Sequence, residues 1–204
     1  MGLMGMLAKG KSRRDEMSPS SSSPLSSSGA SKKDYEMIIS EAISGSVDID
    51  WALAKHLIDA VKPEARPPSS TVKDMVKALK GFLTSTNSNI AIKTILIMDL
   101  IFFMADVSFA QYLGESKNMK LLVDIATKSL EPLQRNLMTQ VLVDWAHKYA
   151  ARPDVCAPFH MALSTLRGKH LSVPPPSSVR EPGQMPPMRP PGGLRGQEGF
   201  ATPM

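Results

Sequence analysis

The sequence predicts an all-α domain of about eight helices, flanked by two disordered tails. Apolar residues recur at helical spacing through the middle of the chain, whereas the alternation typical of strands is nowhere sustained. Serine and proline crowd both ends, which lack the apolar bulk that would offset the entropy lost on ordering. We therefore expect a Ser-rich tail over 1–31, one helical domain over 32–173 and a Pro/Gly/Arg-rich tail over 174–204.

Residues that start or stop helices divide the middle of the chain into short segments. Asp48 and Asp50 are acids suited to the start of a helix, Pro63 ends one, and Pro132 fits the first turn of another. Because the connections are short, neighbouring helices should pack antiparallel and form a compact superhelix of helix pairs. The expected helices cover about 33–44, 51–61, 69–84, 90–105, 109–113, 119–127, 132–149 and 154–167.

Two segments have patterns that predict deep burial. The segment 90–105 is apolar almost all round, but the uninterrupted run is too short to cross a bilayer and contains Lys93 and Asp99. We expect it to form the buried axis of the domain. A later helix repeats apolar residues every four positions, and we expect this stripe to face the core: Leu133, Leu137, Val141, Trp145 and Tyr149.

Composition sets bounds on compartment and partners. A single cysteine, Cys156, excludes an internal disulfide framework. The N-terminus places its apolar residues before its basic ones, which is the reverse of a secretory signal. Both observations indicate a reducing, cytosolic compartment. The formal net charge of +5 is mild and establishes neither a lipid nor a nucleic-acid partner, and we expect no nucleic acid.

The sequence lacks the residue arrangements on which catalysis or metal binding usually depends. It has no glycine-rich phosphate loop between a strand and a helix, no Cys-x-x-Cys pair and no HExxH. His147 is typical of a surface or packing histidine, and Cys156 is typical of an inert thiol. Acidic residues are scattered as solvated helix faces, without a close pair suited to acid–base chemistry. We expect a protein that is not an enzyme and that uses no metal and no cofactor.

An ordered set of short motifs runs through the middle of the chain. The pair DW at 50–51 opens the second helix, NSNI at 87–90 opens the fourth, and Phe109 follows that helix. VLVDWAHKY covers 141–149, and FHMALSTLRGKHLSV covers 159–173. In this order and spacing, the motifs resemble the VHS domain of the ENTH/VHS superfamily over about two thirds of the chain. The sequence MAD at 104–106 departs from the Asn-Cys-Gly usual in the family.

The resemblance implies a right-handed superhelix that serves as a trafficking adaptor, cytoplasmic and peripheral to endosomal or Golgi membranes. In the family, ubiquitin is held by the second helix and part of the fourth, which implies a candidate ubiquitin site at Asp50, Trp51 and Lys55. Trp51 would pack on the apolar patch of ubiquitin or, alternatively, cap the core between the first helices. Lys55 stands where good ubiquitin binders have an aliphatic residue, so we expect weak binding.

The same resemblance implies a cargo site. Some VHS adaptors bind acidic-dileucine cargo tails between the sixth and eighth helices, with basic residues for the acid and apolar slots for the leucines. Here the basic residues would be Lys117, Lys120 and Lys128, and the apolar ones Met161, Leu163 and Leu166.

Two other classes of function stay open. One is an ENTH-like domain that binds an anionic phosphoinositide membrane surface without recognising ubiquitin. The other is a purely structural helical scaffold that binds neither ubiquitin nor lipid. The lipid surface would use lysines of the first and third helices, such as Lys32, Lys33, Lys73, Lys77 and Lys80.

Overall fold

The computed structural model describes residues 30–45, 48–63 and 69–177, so most of the two predicted tails lies outside the described residues. Within these ranges the chain forms eight α-helices and no strand, which confirms the predicted all-α fold. The helices are α1 (Lys32–Ile43), α2 (Trp51–Val61), α3 (Ser69–Leu83), α4 (Ser88–Met104), α5 (Val107–Leu113), α6 (Ser116–Lys128), α7 (Pro132–Lys148) and α8 (Pro153–Gly168).

Local hydrogen bonds fix where several helices begin and end. The Asp50 carboxylate caps α2 by accepting the amides two and three residues ahead, at 2.9 and 3.2 Å, as the sequence predicts. Asn87 caps α4 in the same way, at 3.0 and 3.4 Å. At the end of α8, His170 has left-handed backbone at φ 59°, and the Leu171 amide donates to the Leu166 carbonyl at 3.2 Å. This Schellman closure turns the chain away from the axis of α8.

The apolar helix α4 forms the buried axis that its sequence predicts. It packs against α2, α3 and α7, and its two charged residues are both buried. The Lys93 ammonium donates to three backbone carbonyls in the connection from α1 to α2. The Asp99 carboxylate accepts the indole N–H of Trp145 at 2.9 Å. Each charge therefore has its own partners inside the domain. Among the described helices, none has both the length and the apolar character needed to span a bilayer.

An aromatic cluster joins α4, α7 and α8. Trp145 is fully buried, its ring stacks on Phe102 at 4.3 Å between centroids, and it meets Phe159 edge to face. The predicted apolar stripe of α7 is confirmed at Val141 and Trp145, which are buried, but wrong at Leu133, which is 59% exposed. Leu133 lies in the first turn of α7, at the end of the α6–α7 hairpin, where the other described helices leave it open.

The helices α6 and α8 lie side by side and run in the same direction, because each forms an antiparallel hairpin with α7. Gly114, between α5 and α6, permits a close approach to α8, since a Cβ at this residue would come within 3.1 Å of Pro158 Cγ. Beyond α8 the chain returns along α7, where Ser177 donates its amide and hydroxyl to the buried Asp144 carboxylate at 2.8 and 2.9 Å. The first residues after 173 are thus bonded to α7, and the domain boundaries themselves stay predictions.

Candidate functional site

An open groove of about 510 Å³ runs between α6 and α8. On each helix the lining residues follow one another at steps of one, three or four, so they form a row along one face. The α6 wall consists of Ser116, Met119, Lys120, Val123 and Asp124. The α8 wall consists of Ala157, Pro158, Met161, Ala162, Thr165 and Lys169. The groove therefore has the elongated shape that an extended peptide would fit.

The middle of the groove is apolar. Ala157 and Ala162 have small side chains and leave space between the helices, while Met119 and Val123 line the opposite wall. The Met161 side chain is 71% exposed, which is unusual for a large apolar residue. Because methionine is flexible and polarizable, it can adapt to ligands of different shape. This lining suits the aliphatic side chains of a bound peptide.

Charged residues flank the apolar middle. Lys120 lies on the α6 wall, and Lys169 lies at the C-terminal end of the α8 wall. The Asp124 carboxylate accepts a hydrogen bond from Lys128, one turn further along α6, at 2.7 Å. This bond, aided by the charges of Lys128, Lys120 and Lys169, holds the pKa of Asp124 below its usual range. Among the described residues, Lys120 and Lys169 form no ion pair, so both ammonium groups are available to an anionic ligand.

The three lysines predicted to bind an acidic cargo tail lie at different places on α6. Lys120 lines the groove itself, whereas Lys128 is bonded to a carboxylate of the groove wall. Lys117 lies in the first turn of α6, outside the lining, and bonds to Glu115 at 2.9 Å. That carboxylate raises the pKa of the Lys117 ammonium. The structure therefore places Lys120 alone of the three on the groove surface.

The predicted apolar residues of α8 divide in the same way. Met161 lines the groove, but Leu163 and Leu166 are buried in the core and do not form part of its surface. Sequence reasoning missed Thr165 and Lys169, which also line it. The signal for both was helical spacing, since they follow Met161 by four and eight residues and therefore share its face.

The candidate ubiquitin site lies on α2. Asp50 serves as the N-cap of the helix, and Trp51 is half-buried and packs against the core. Lys55 is exposed and bonds to Asp59 at 2.7 Å, which lowers the pKa of that carboxyl group. The half-burial of Trp51 fits a packing role and a contact role alike, so ubiquitin binding stays a prediction.

The lysines of the predicted lipid surface are mostly engaged within the domain. Lys32 and Lys77 each pair with a carboxylate of their own helix, at 2.7 and 3.2 Å. Lys80 is half-buried and donates to Asn118 of α6 at 2.9 Å, while Lys33 and Lys73 are exposed. An ammonium paired with a neighbouring carboxylate presents little net charge to a membrane. The structure therefore gives weaker support to lipid binding by these lysines than to peptide binding in the groove.

Two side chains of interest for catalysis lie apart from the groove lining. Cys156 is buried at 5% exposure in the first turn of α8, and His147 is exposed near the end of α7. Over the part of the chain that the structure describes, no group of three or more His, Cys, Asp or Glu side chains is placed to hold a metal ion. That the protein is not an enzyme stays a prediction.

Comparison with known proteins identifies a fold and no family. No family model matches the sequence, and no curated protein matches it. A matching solved structure is the crystal structure of the VHS and FYVE tandem domains of Hrs, a protein involved in membrane trafficking and signal transduction. The TM-score is 0.62 at 16% sequence identity, and the match covers 72% of this chain and 64% of that one. This chain thus spans less than two thirds of that chain's length, and the likeness shows a VHS-like helical fold.

Proposed function

We propose that this chain is a non-enzymatic adaptor module of membrane trafficking, which holds a short, extended sorting peptide in the groove between α6 and α8. The observation that carries the proposal is an apolar groove with two ammonium groups, Lys120 and Lys169, beside it. Carboxylates next to aliphatic side chains would match this pattern, as in an acidic-dileucine cargo tail. The solved structure with the similar fold belongs to a membrane-trafficking protein, which supports the proposal by analogy.

The size and charge of the groove predict modest affinity. Two leucine side chains would each contribute about 1.5–3 kcal/mol on burial, but ordering a flexible peptide offsets much of this gain. Solvent-exposed ion pairs with Lys120 and Lys169 would add less than about 1 kcal/mol each. We therefore expect a dissociation constant between roughly micromolar and millimolar values. Such an adaptor would work at the cytoplasmic face of endosomal or Golgi membranes, as the VHS resemblance implies.

A charge placed in the apolar middle of the groove should block peptide binding. We expect Met161→Asp to weaken binding of an acidic-dileucine peptide by at least about tenfold, because the carboxylate disfavours burial of the leucines and repels the acidic residues. Isothermal titration calorimetry measures the affinity. Met37→Asp is the matched control, since Met37 is 57% exposed on α1, outside the groove lining.

The control variant should bind as the wild type does, and a peptide with two alanines in place of the leucines should not bind. Lys120→Gln should also weaken binding, more strongly at low salt, whereas Lys55→Gln on α2 should not. If Met161→Asp bound the peptide with wild-type affinity, the groove would be the wrong site.

Ubiquitinated cargo is the second ligand in the proposal, with the partial exposure of Trp51 as its support. We expect Lys55→Leu to tighten ubiquitin binding by roughly 1 kcal/mol, because an aliphatic side chain replaces a charge one turn from Trp51. The helix should tolerate the change, since Asp59 keeps its ion pair with Lys62 at 2.8 Å. Trp51→Ala should abolish binding. An NMR titration of labelled ubiquitin measures all three proteins, and tight wild-type binding weakened by Lys55→Leu would show that the surface is wrong.

A further inference from the structure

The connection between α6 and α7 presents two exposed leucines at one end of the domain. Leu130 is 97% exposed and Leu133 is 59% exposed. Across the described residues, the other exposed large apolar side chains are Met37 and Met161, which lie on α1 and in the groove. Single apolar residues on a surface are ordinary, but these two lie within four positions of each other where α7 begins. Neither leucine contributes to the peptide groove.

Hydrogen bonds hold this connection in shape on both sides of Leu130. The Ser129 hydroxyl donates to the side-chain oxygen of buried Gln134 at 2.6 Å, and the Ser129 carbonyl accepts the Arg135 guanidinium. Glu131 caps α7 through its carboxylate. Because both neighbours of Leu130 are fixed to the first turns of α7, its exposure follows from a defined loop geometry.

Cations lie around the two leucines. Lys128 and Arg135 flank them along the chain, and Lys169 lies at the same end of the domain, because it follows the last residue of α8, which runs parallel to α6. Two carboxylates lie among them: Asp124, which is bonded to Lys128, and Glu131, which caps α7 and keeps its negative charge. Three cations against two carboxylates leave this end of the domain with a net charge of +1.

We propose that this end, the leucine tip (residues 128–135 together with Lys169), docks on an anionic lipid surface. Leu130 projects almost fully from the protein and is suited to insertion at the boundary between headgroups and acyl chains. The surrounding cations attract anionic headgroups, an interaction that weakens as salt rises. The docking uses none of the lysines predicted on α1 and α3, and it shares only Lys169 with the lining of the peptide groove.

Docking through the leucine tip also orients the groove. Asp124 and Lys169 form the end of the groove nearest the tip, because Lys128 bonds to the first and leads into the loop. A peptide that emerges from a membrane-anchored cargo protein meets that end first. This consequence rests on the proposed function, whereas the docking itself does not.

Co-sedimentation of the full chain with vesicles tests the docking. The wild type should bind phosphatidylserine-containing vesicles and not pure phosphatidylcholine vesicles, with less binding at high salt. The double variant Leu130→Ser, Leu133→Ser should bind at least tenfold more weakly. Met37→Ser, which removes an apolar side chain about as exposed as Leu133 from α1, should bind as the wild type does. The proposal is overturned if the wild type does not bind the anionic vesicles or if the double variant binds them equally well.

Two further measurements separate the tip from other surfaces. The double variant Lys73→Gln, Lys77→Gln should bind the vesicles as the wild type does. If this lysine variant lost binding while the leucine variant kept it, the docking would lie on α3 instead.

A fluorescent dye attached at Leu130→Cys should shift its emission to the blue on anionic vesicles, whereas the dye at Met37→Cys should not. Cys156 is buried and stays unlabelled. No shift at position 130 overturns the proposal. The leucine variant should still bind the acidic-dileucine peptide, which distinguishes failure of the docking from failure of the groove.

Discussion

Replacing Trp145 by alanine is expected to lower the free energy of unfolding by about 3–5 kcal/mol, the range for truncating a buried large aromatic residue. The side chain is 0% exposed, stacks on Phe102 at 4.3 Å and meets Phe159 edge to face. Its indole N–H also donates to the Asp99 carboxylate in α4 at 2.9 Å. The substitution would open a cavity where α4, α7 and α8 meet and remove a hydrogen bond to a buried carboxylate.

Urea unfolding followed by circular dichroism measures this loss. Trp145→Phe is the matched variant, because it keeps a ring to stack on Phe102 but cannot donate a hydrogen bond to Asp99. We expect the phenylalanine variant to lose less, about 1–3 kcal/mol. A loss below about 1 kcal/mol for Trp145→Ala would show that the residue is not packed as described.

The second large effect is expected at Lys93. Its ammonium is buried at 8% exposure and donates to the carbonyls of Ile43, Gly45 and Asp48. These carbonyls end α1 and lead into α2, so the side chain fixes the geometry of the first hairpin. Lys93→Met keeps most of the apolar stem but removes the three charge-assisted hydrogen bonds, and we expect a loss of about 2–4 kcal/mol.

The control for this variant is Lys73→Met, since Lys73 is exposed on α3 and its replacement should change stability by no more than about 0.5 kcal/mol. Both variants are compared with the wild type in the same urea experiment. Equal stabilities for Lys93→Met and Lys73→Met would contradict the bonding described for Lys93.

The parts of the fold that depend on local chemistry were predictable from the sequence. Asp50 caps α2 because its side chain reaches the amides of the next turn, a contact that needs no other helix. The burial of α4 follows from a segment that is apolar on every face, because such a helix has no surface suited to water. Leu133 is the exception. It belongs to the apolar stripe of α7, but it lies at the start of that helix, where the neighbouring helices do not cover it.

The candidate site was predictable only in part. Its position between the sixth and eighth helices follows from the family resemblance, and Lys120 and Met161 do line the groove. Leu163 and Leu166 are buried because the face of α8 that packs against the core is set by tertiary contacts, which helical spacing alone does not specify. Helical spacing puts Lys169 on the same face as Met161, but that this face meets α6 depends on the parallel packing of α6 and α8, which no local sequence pattern encodes.

The bonding of Asp144 was not predictable either. An acidic residue in α7 is expected to face solvent, yet Asp144 is 6% exposed because Ser177 and Gln140 donate hydrogen bonds to it. Ser177 lies 33 residues further along the chain, in a Pro-rich segment whose composition predicts disorder. The contact depends on the turn after α8, which brings the chain back along α7.

The most direct test of the proposed function is an NMR titration of the isotope-labelled chain with an acidic-dileucine peptide. We predict amide shift changes concentrated on the facing sides of α6 and α8, with Lys120, Met161 and Lys169 among the largest, and no changes on α2. The absence of any shift change at millimolar peptide, or changes centred on α1 to α3, would contradict the assignment of the groove as a peptide-binding site.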